Sequence, residues 1–97
     1  MGSFAGKIGA HITIRGIVQG VGFRWFLRNK AHLLGLKGWV RNLPDGSVEA
    51  MVEGDRRAVM EFIDWCRIGP SSARVEDVKV KMLPYSGRYR VFSIRLS

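Results

Sequence analysis

The spacing of apolar residues switches between two and three-to-four along this chain, and few folds accommodate that alternation. Ile8, Ala10, Ile12 and Ile14 alternate with Gly9, His11, Thr13 and Arg15, the pattern of a strand with one buried face. From Phe23 the period lengthens. Phe23, Phe26, Leu27, Ala31 and Leu34 fall on one side of a helix, with Arg28, Asn29 and His32 turned away, and Gly35 is a natural stop. A second strand is predicted from Lys37 to about Leu43. In Leu43-Pro44-Asp45-Gly46 proline presets φ and glycine accepts a positive φ, so this stretch reads as a turn. A third strand follows over Ser47 to Glu53, with Val48, Ala50 and Val52 alternating against Glu49, Met51 and Glu53, and the two strands should pair as a hairpin. Gly54-Asp55 opens a second helix, with Asp55 available to cap it. Its apolar stripe is Val59, Phe62, Ile63 and Cys66, and Gly69-Pro70 ends it. Val78, Val80 and Met82 against Asp77, Lys79 and Lys81 mark a fourth strand. A short last strand, Val91 to Leu96, should point Phe92, Ile94 and Leu96 one way.

The order β-α-β-β-α-β implies an α+β fold, a ferredoxin-like βαββαβ sandwich with two helices on one face of an antiparallel sheet and a short extra C-terminal strand. The other sheet face, carrying His11, Thr13 and Arg15, should be the more polar one. Residues 1–7 read as a flexible tail and residues 8–97 as a single domain, with no linker or repeat between. Apolar runs are a few residues long, so no membrane span or signal peptide is expected. Position 6 is glycine where a myristoylation motif has Ser or Thr. The single cysteine, Cys66, has no internal partner and sits on an apolar helix face, where burial is expected. A cytoplasmic, monomeric protein is the expectation.

Sixteen Lys and Arg against eight Asp and Glu give a net charge of +8. Such a field concentrates anions of any kind: nucleic acid, a small phosphorylated substrate, or nothing specific beyond solubility.

One loop stands out against this background: Gly16-Ile17-Val18-Gln19-Gly20-Val21-Gly22-Phe23-Arg24. It joins the first strand to the first helix and sets a cation in the first helical turn, where the helix dipole is already positive. Glycines allow successive N–H groups to converge, so loop and cation together make a plausible seat for a phosphate or carboxylate. The usual catalytic sets are missing. No zinc-spaced Cys/His cluster, HExxH or Walker loop is present. His11 and His32 read as surface residues, Asp45 as a turn residue, and Glu49 and Glu53 as an exposed strand face. An anion cradle without a base or metal suits a substrate that already carries a good leaving group, such as a phosphoryl anhydride. Water would then be the nucleophile, and Asn42, at the end of the second strand, is the neutral side chain that can orient it. It can equally serve only to start the turn.

The glycine loop through Arg24 resembles the first signature of the acylphosphatase family, and Gly38-Trp39-Val40-Arg41-Asn42-Leu43-Pro44-Asp45-Gly46-Ser47-Val48-Glu49 resembles the second, in the family's order. Leu34-Gly35-Leu36, Gly69-Pro70 and the Tyr85-Ser86 to Phe92 stretch extend the likeness over nearly the whole chain. The resemblance implies metal-independent hydrolysis of the carboxyl-phosphate bond of an acyl phosphate, without cofactor, to a carboxylate and inorganic phosphate. Inorganic phosphate would also be a competitive inhibitor. By the same likeness Arg24 binds the phosphate together with backbone N–H groups of Gln19, Gly20, Val21, Gly22 and Phe23, and Asn42 holds the water. Gly22 stands where some members carry a larger residue.

Other readings of the same residues are a non-catalytic anion-binding or nucleic-acid-binding module of this fold. RNA-recognition domains share the element order, but they stack bases on aromatic residues of a strand corresponding to Ser47–Glu53, which here has none. Acylphosphatase-like domains also occur within larger hydrogenase-maturation proteins that process carbamoyl phosphate; the length of 97 residues fits a free-standing hydrolase. Trp25, Trp39 and Trp65 read as packing or edge residues. Arg15 and Arg41 add positive field near the loop or are solvated strand ends.

Overall fold

The computed structural model describes residues 6–96. Its elements are β1 (Lys7–Ile17), α1 (Phe23–Leu33), β2 (Lys37–Asn42), β3 (Val48–Asp55), α2 (Arg56–Ile68), β4 (Arg74–Pro84) and β5 (Phe92–Arg95). The tail expected over residues 1–7 falls mostly outside the described residues, and β1 already includes Lys7, paired with Asp55.

The period-two residues of β1 face the helices. Ile12 and Ile14 are fully buried beside Val48, Ala50 and Val52 of β3, Val40 of β2, and Phe23, Leu27, Phe62 and Cys66 of the helices. Each large aliphatic or aromatic side chain so buried contributes about 1.5–3 kcal/mol relative to exposure. Cys66 is buried as expected, and desolvation pushes its thiol pKa up, so it is an inert packing group.

The five strands lie in the order β4-β1-β3-β2-β5, the ferredoxin-like arrangement with one addition. Four are antiparallel to their neighbours, but β5 runs parallel to β2, so the sheet is mixed rather than purely antiparallel. The direction follows from where β4 stops. Pro84 lies opposite Ile8 at the start of β1, which is the end of the sheet where β2 begins. The chain then crosses to the far edge and enters β5 beside the start of β2, with Gly38 N–H donating to the Val91 carbonyl. Leu96 lies beyond β5 and is 89% exposed, so it does not join Phe92 and Ile94 against the core.

That crossing segment also corrects the reading of Glu53. The pleat turns Glu53 to the sheet face without helices, yet the residue is only 1% exposed. Its carboxylate accepts hydrogen bonds from Ser86 N–H, Ser86 Oγ and Gly87 N–H, which pin the crossing onto the sheet. Glu49, two residues earlier on the same face, is likewise not a solvated strand residue. His11 Nε2 lies 2.7 Å from its Oε2, and Arg41 Nε donates to its Oε1 at 2.6 Å. The His11 partner is 38 positions distant in sequence, and only the β1–β3 pairing brings the two together. Asp55 occupies the N-cap position of α2 without a capping hydrogen bond from its side chain.

Candidate functional site

β1 ends and α1 begins at one end of the sheet, and β2 ends at the same place. Between them lies a small cleft of about 80 Å³, lined by Val18, Gly20, Gly22, Phe23, Arg24, Trp25 and Asn42. Arg24 and Asn42, 18 residues apart in sequence, therefore share one cleft. Its size suits one small polar group rather than a whole organic ligand, for which pockets of roughly 300–1,000 Å³ are usual.

Local backbone chemistry explains the shape. Gly22 is the N-cap of α1 at φ 78° and ψ 20°, a left-handed conformation that an L side chain adopts only with strain. A Cβ there would meet no atom within 4 Å, so the requirement is conformational rather than steric. No side chain caps α1, and its first turn holds no acid. Phe26 N–H donates to the Gly22 carbonyl, whereas the N–H groups of Phe23, Arg24 and Trp25 have no carbonyl one turn behind them. The positive helix end and a guanidinium thus meet at the cleft. Among the described residues Arg24 has no ion-pair partner, and the Asn42 side-chain amide has no hydrogen-bond partner. The other arginines near the loop are engaged elsewhere. Arg15 lies 3.8 Å from Asp45, and Arg41 holds Glu49 and overlies the Trp39 ring.

Of the residues expected to form the cradle, Gly20, Gly22, Phe23 and Arg24 line the cleft, and Gln19 and Val21 do not. Val21 packs against the core. The Gln19 side chain has a task of its own. Its Nε2 donates to the carbonyls of Leu43 and Ser47, both at 2.8 Å, and so fastens the glycine loop to the β2–β3 turn. That turn has its own closure. Leu43 N–H donates to Ser47 O, and Ser47 N–H and Oγ donate to Asp45 Oδ1. The Ser47 bonds hold the Asp45 carboxyl below its ordinary pKa. A polar Gln19 between Val18 and Gly20 was the sequence signal for this tether.

Trp25 is the other departure. Instead of packing, it stands 61% exposed at the rim of the cleft, with the Arg28 guanidinium 5.1 Å from its ring centroid. Trp65 does pack, edge-on to Phe26, and Trp39, on β2 beside the edge strand β5, has the Arg41 and Arg95 guanidiniums 5.2 and 4.5 Å from its ring centroid. Among the described residues no three His, Cys, Asp or Glu side chains gather as a metal site, and no helix is long and apolar enough to cross a membrane.

Residues 10–94 match the family model described as Acylphosphatase. An acylphosphatase of Aeropyrum pernix is 56% identical over 87 residues, covering 89% of this chain and 86% of its own. Among solved structures, an acylphosphatase from Coxiella burnetii superposes with a TM-score of 0.88 at 37% identity, covering 94% of this chain and 95% of that one. HypF of T. kodakarensis superposes at 0.79 and 36% identity, covering 93% of this chain but 12% of its own length.

Proposed function

The chain belongs to the acylphosphatase family and is a hydrolase of acyl phosphates, and from that premise we propose that Arg24, the Gln19–Phe23 loop and Asn42 carry the reaction without a metal. The observation behind this reading is that Arg24 and Asn42, whose side chains have no ion-pair or hydrogen-bond partner among the described residues, line the same cleft.

The phosphate of the substrate seats at the N-terminus of α1. There its charge compensates the helix dipole and Arg24, which otherwise repel each other. The planar guanidinium offers two parallel N–H groups to two phosphate oxygens. Asn42 accepts a hydrogen bond from water through its carbonyl oxygen and aims the water's lone pair at phosphorus. An amide is too weak a base to remove the proton. The water oxygen bonds to phosphorus while the bond from phosphorus to the acyl oxygen breaks. The electron pair leaves with the carboxylate, and the water proton passes to a phosphate oxygen. Arg24 and the loop N–H groups hold the charge on the phosphoryl oxygens throughout.

The test is phosphate release from benzoyl phosphate in the presence of a chelator, with inorganic phosphate as competitor. We expect turnover that the chelator leaves intact and that phosphate inhibits competitively. Activity that appears only on adding a divalent metal would overturn this mechanism. The protein is expected to act as a monomer, which sedimentation checks.

A further inference from the structure

We infer that Trp25 is the platform on which the acyl group of the substrate rests, so that this chain favours acyl phosphates with a flat aromatic or apolar acyl group. The inference rests on the reading of Arg24 and Asn42 given above. The cleft of about 80 Å³ holds the phosphate alone, so the acyl group must lie outside it.

Two surfaces adjoin. One is an open hollow of about 440 Å³ formed by Arg41, Asn42, Leu43, Pro44 and Leu96. The other is the rim formed by the first turn of α1. In-line displacement decides between them, because attacking and leaving oxygens stand on opposite sides of phosphorus. Water held by Asn42 attacks from the β2 side, and the hollow shares Asn42. The carboxylate therefore departs on the side away from Asn42, out over the rim formed by the first turn of α1. On that wall Phe23 is buried and Arg24 holds phosphate, which leaves Trp25, among the described residues, as the one large exposed hydrophobic side chain lining the cleft. Arg28 covers one part of its ring and restrains it, while most of the residue remains open to a ligand. Aromatic stacking on a restrained indole discriminates by shape and apolar area.

The experiment compares benzoyl phosphate with acetyl phosphate in the unmodified protein, W25A, W25F and L96A. We expect the ratio of kcat/KM for benzoyl over acetyl phosphate to fall about tenfold in W25A and to recover in W25F. A ratio unchanged in W25A, with both substrates slowed alike, assigns Trp25 a structural role only and overturns the inference. A ratio that falls in L96A but not in W25A moves the acyl group to the hollow and overturns it as well. Failure of the unmodified protein to hydrolyse either substrate removes the underlying reading, and this one with it.

Discussion

The side-chain amide of Gln19 donates a 2.8 Å hydrogen bond to the carbonyl of Leu43, the residue after Asn42. With its second bond, to Ser47 O, it fixes the distance between the glycine loop and the strand end that carries Asn42. Gln19→Leu should remove the tether while leaving both carbonyls bonded to N–H groups of the turn. We expect kcat for benzoyl phosphate to fall about tenfold with a smaller change in KM, because misplacement of about 1 Å is costly in a positioned reaction. Urea unfolding should show a loss of about 1–2 kcal/mol. A loss of stability without any loss of kcat would mean the tether serves the fold alone.

Arg24 and Asn42 should fail differently. Arg24→Lys keeps the charge and loses the fork, so kcat/KM should drop about 100-fold and inhibition by inorganic phosphate should weaken. For Asn42→Ala we expect kcat about 100-fold lower with phosphate inhibition retained. Near-normal turnover by Arg24→Lys, or lost phosphate affinity in Asn42→Ala, contradicts the assigned roles.

Two glycines of the same loop should respond to alanine on different scales. Gly16 sits at φ 134° where β1 shifts register against β4, and a Cβ there would lie 2.1 Å from the Arg74 carbonyl oxygen. Backbone must move to admit it, and we expect Gly16→Ala to lose about 3 kcal/mol or more. Gly22 has open space around it, so Gly22→Ala should lose only the conformational strain, about 1–2 kcal/mol. Chemical denaturation of both variants measures the difference, and equal losses would refute it.

The open face of the sheet should make stability fall in acid. Burial raises the pKa of Glu49, but hydrogen bonds from His11 and Arg41 outweigh it and hold the carboxyl below its ordinary 4.5. A depressed folded pKa stabilises the fold above the unfolded value, and that contribution is lost as pH falls through the folded one. Unfolding free energy should therefore decline as pH drops below about 4.5, and Glu49→Gln should be less stable at neutral pH with a shallower acid decline. Parallel pH profiles for the two proteins would refute this.

The element order was legible because local periodicity records it. Alternation in Ile8–Ile14 and the helical stripes of Phe23–Ala31 and Val59–Cys66 each need only a few neighbouring residues to be read. The two motifs were legible for a similar reason: glycine, arginine and asparagine at set spacing carry chemistry that few other residues supply. The direction of β5 was not legible, because it depends on which end of the sheet β4 reaches. Glu53 looked exposed because its alternation is that of a one-sided strand. The segment covering it comes from 33 residues later.

The chain alone determined that two helices cover a strand-rich layer and that a glycine loop ends in Arg24. Tertiary structure decided what those residues meet. Pairing of β1 with β3 joined His11 to Glu49, and the common end of β1 and β2 joined Arg24 to Asn42. The Gln19 side chain reaches the β2–β3 turn rather than the cleft that Arg24 and Asn42 share, and Trp25 lines that cleft. Each of these depends on contacts between elements distant in sequence, and periodicity reports only which face of an element is apolar, not what stands opposite it.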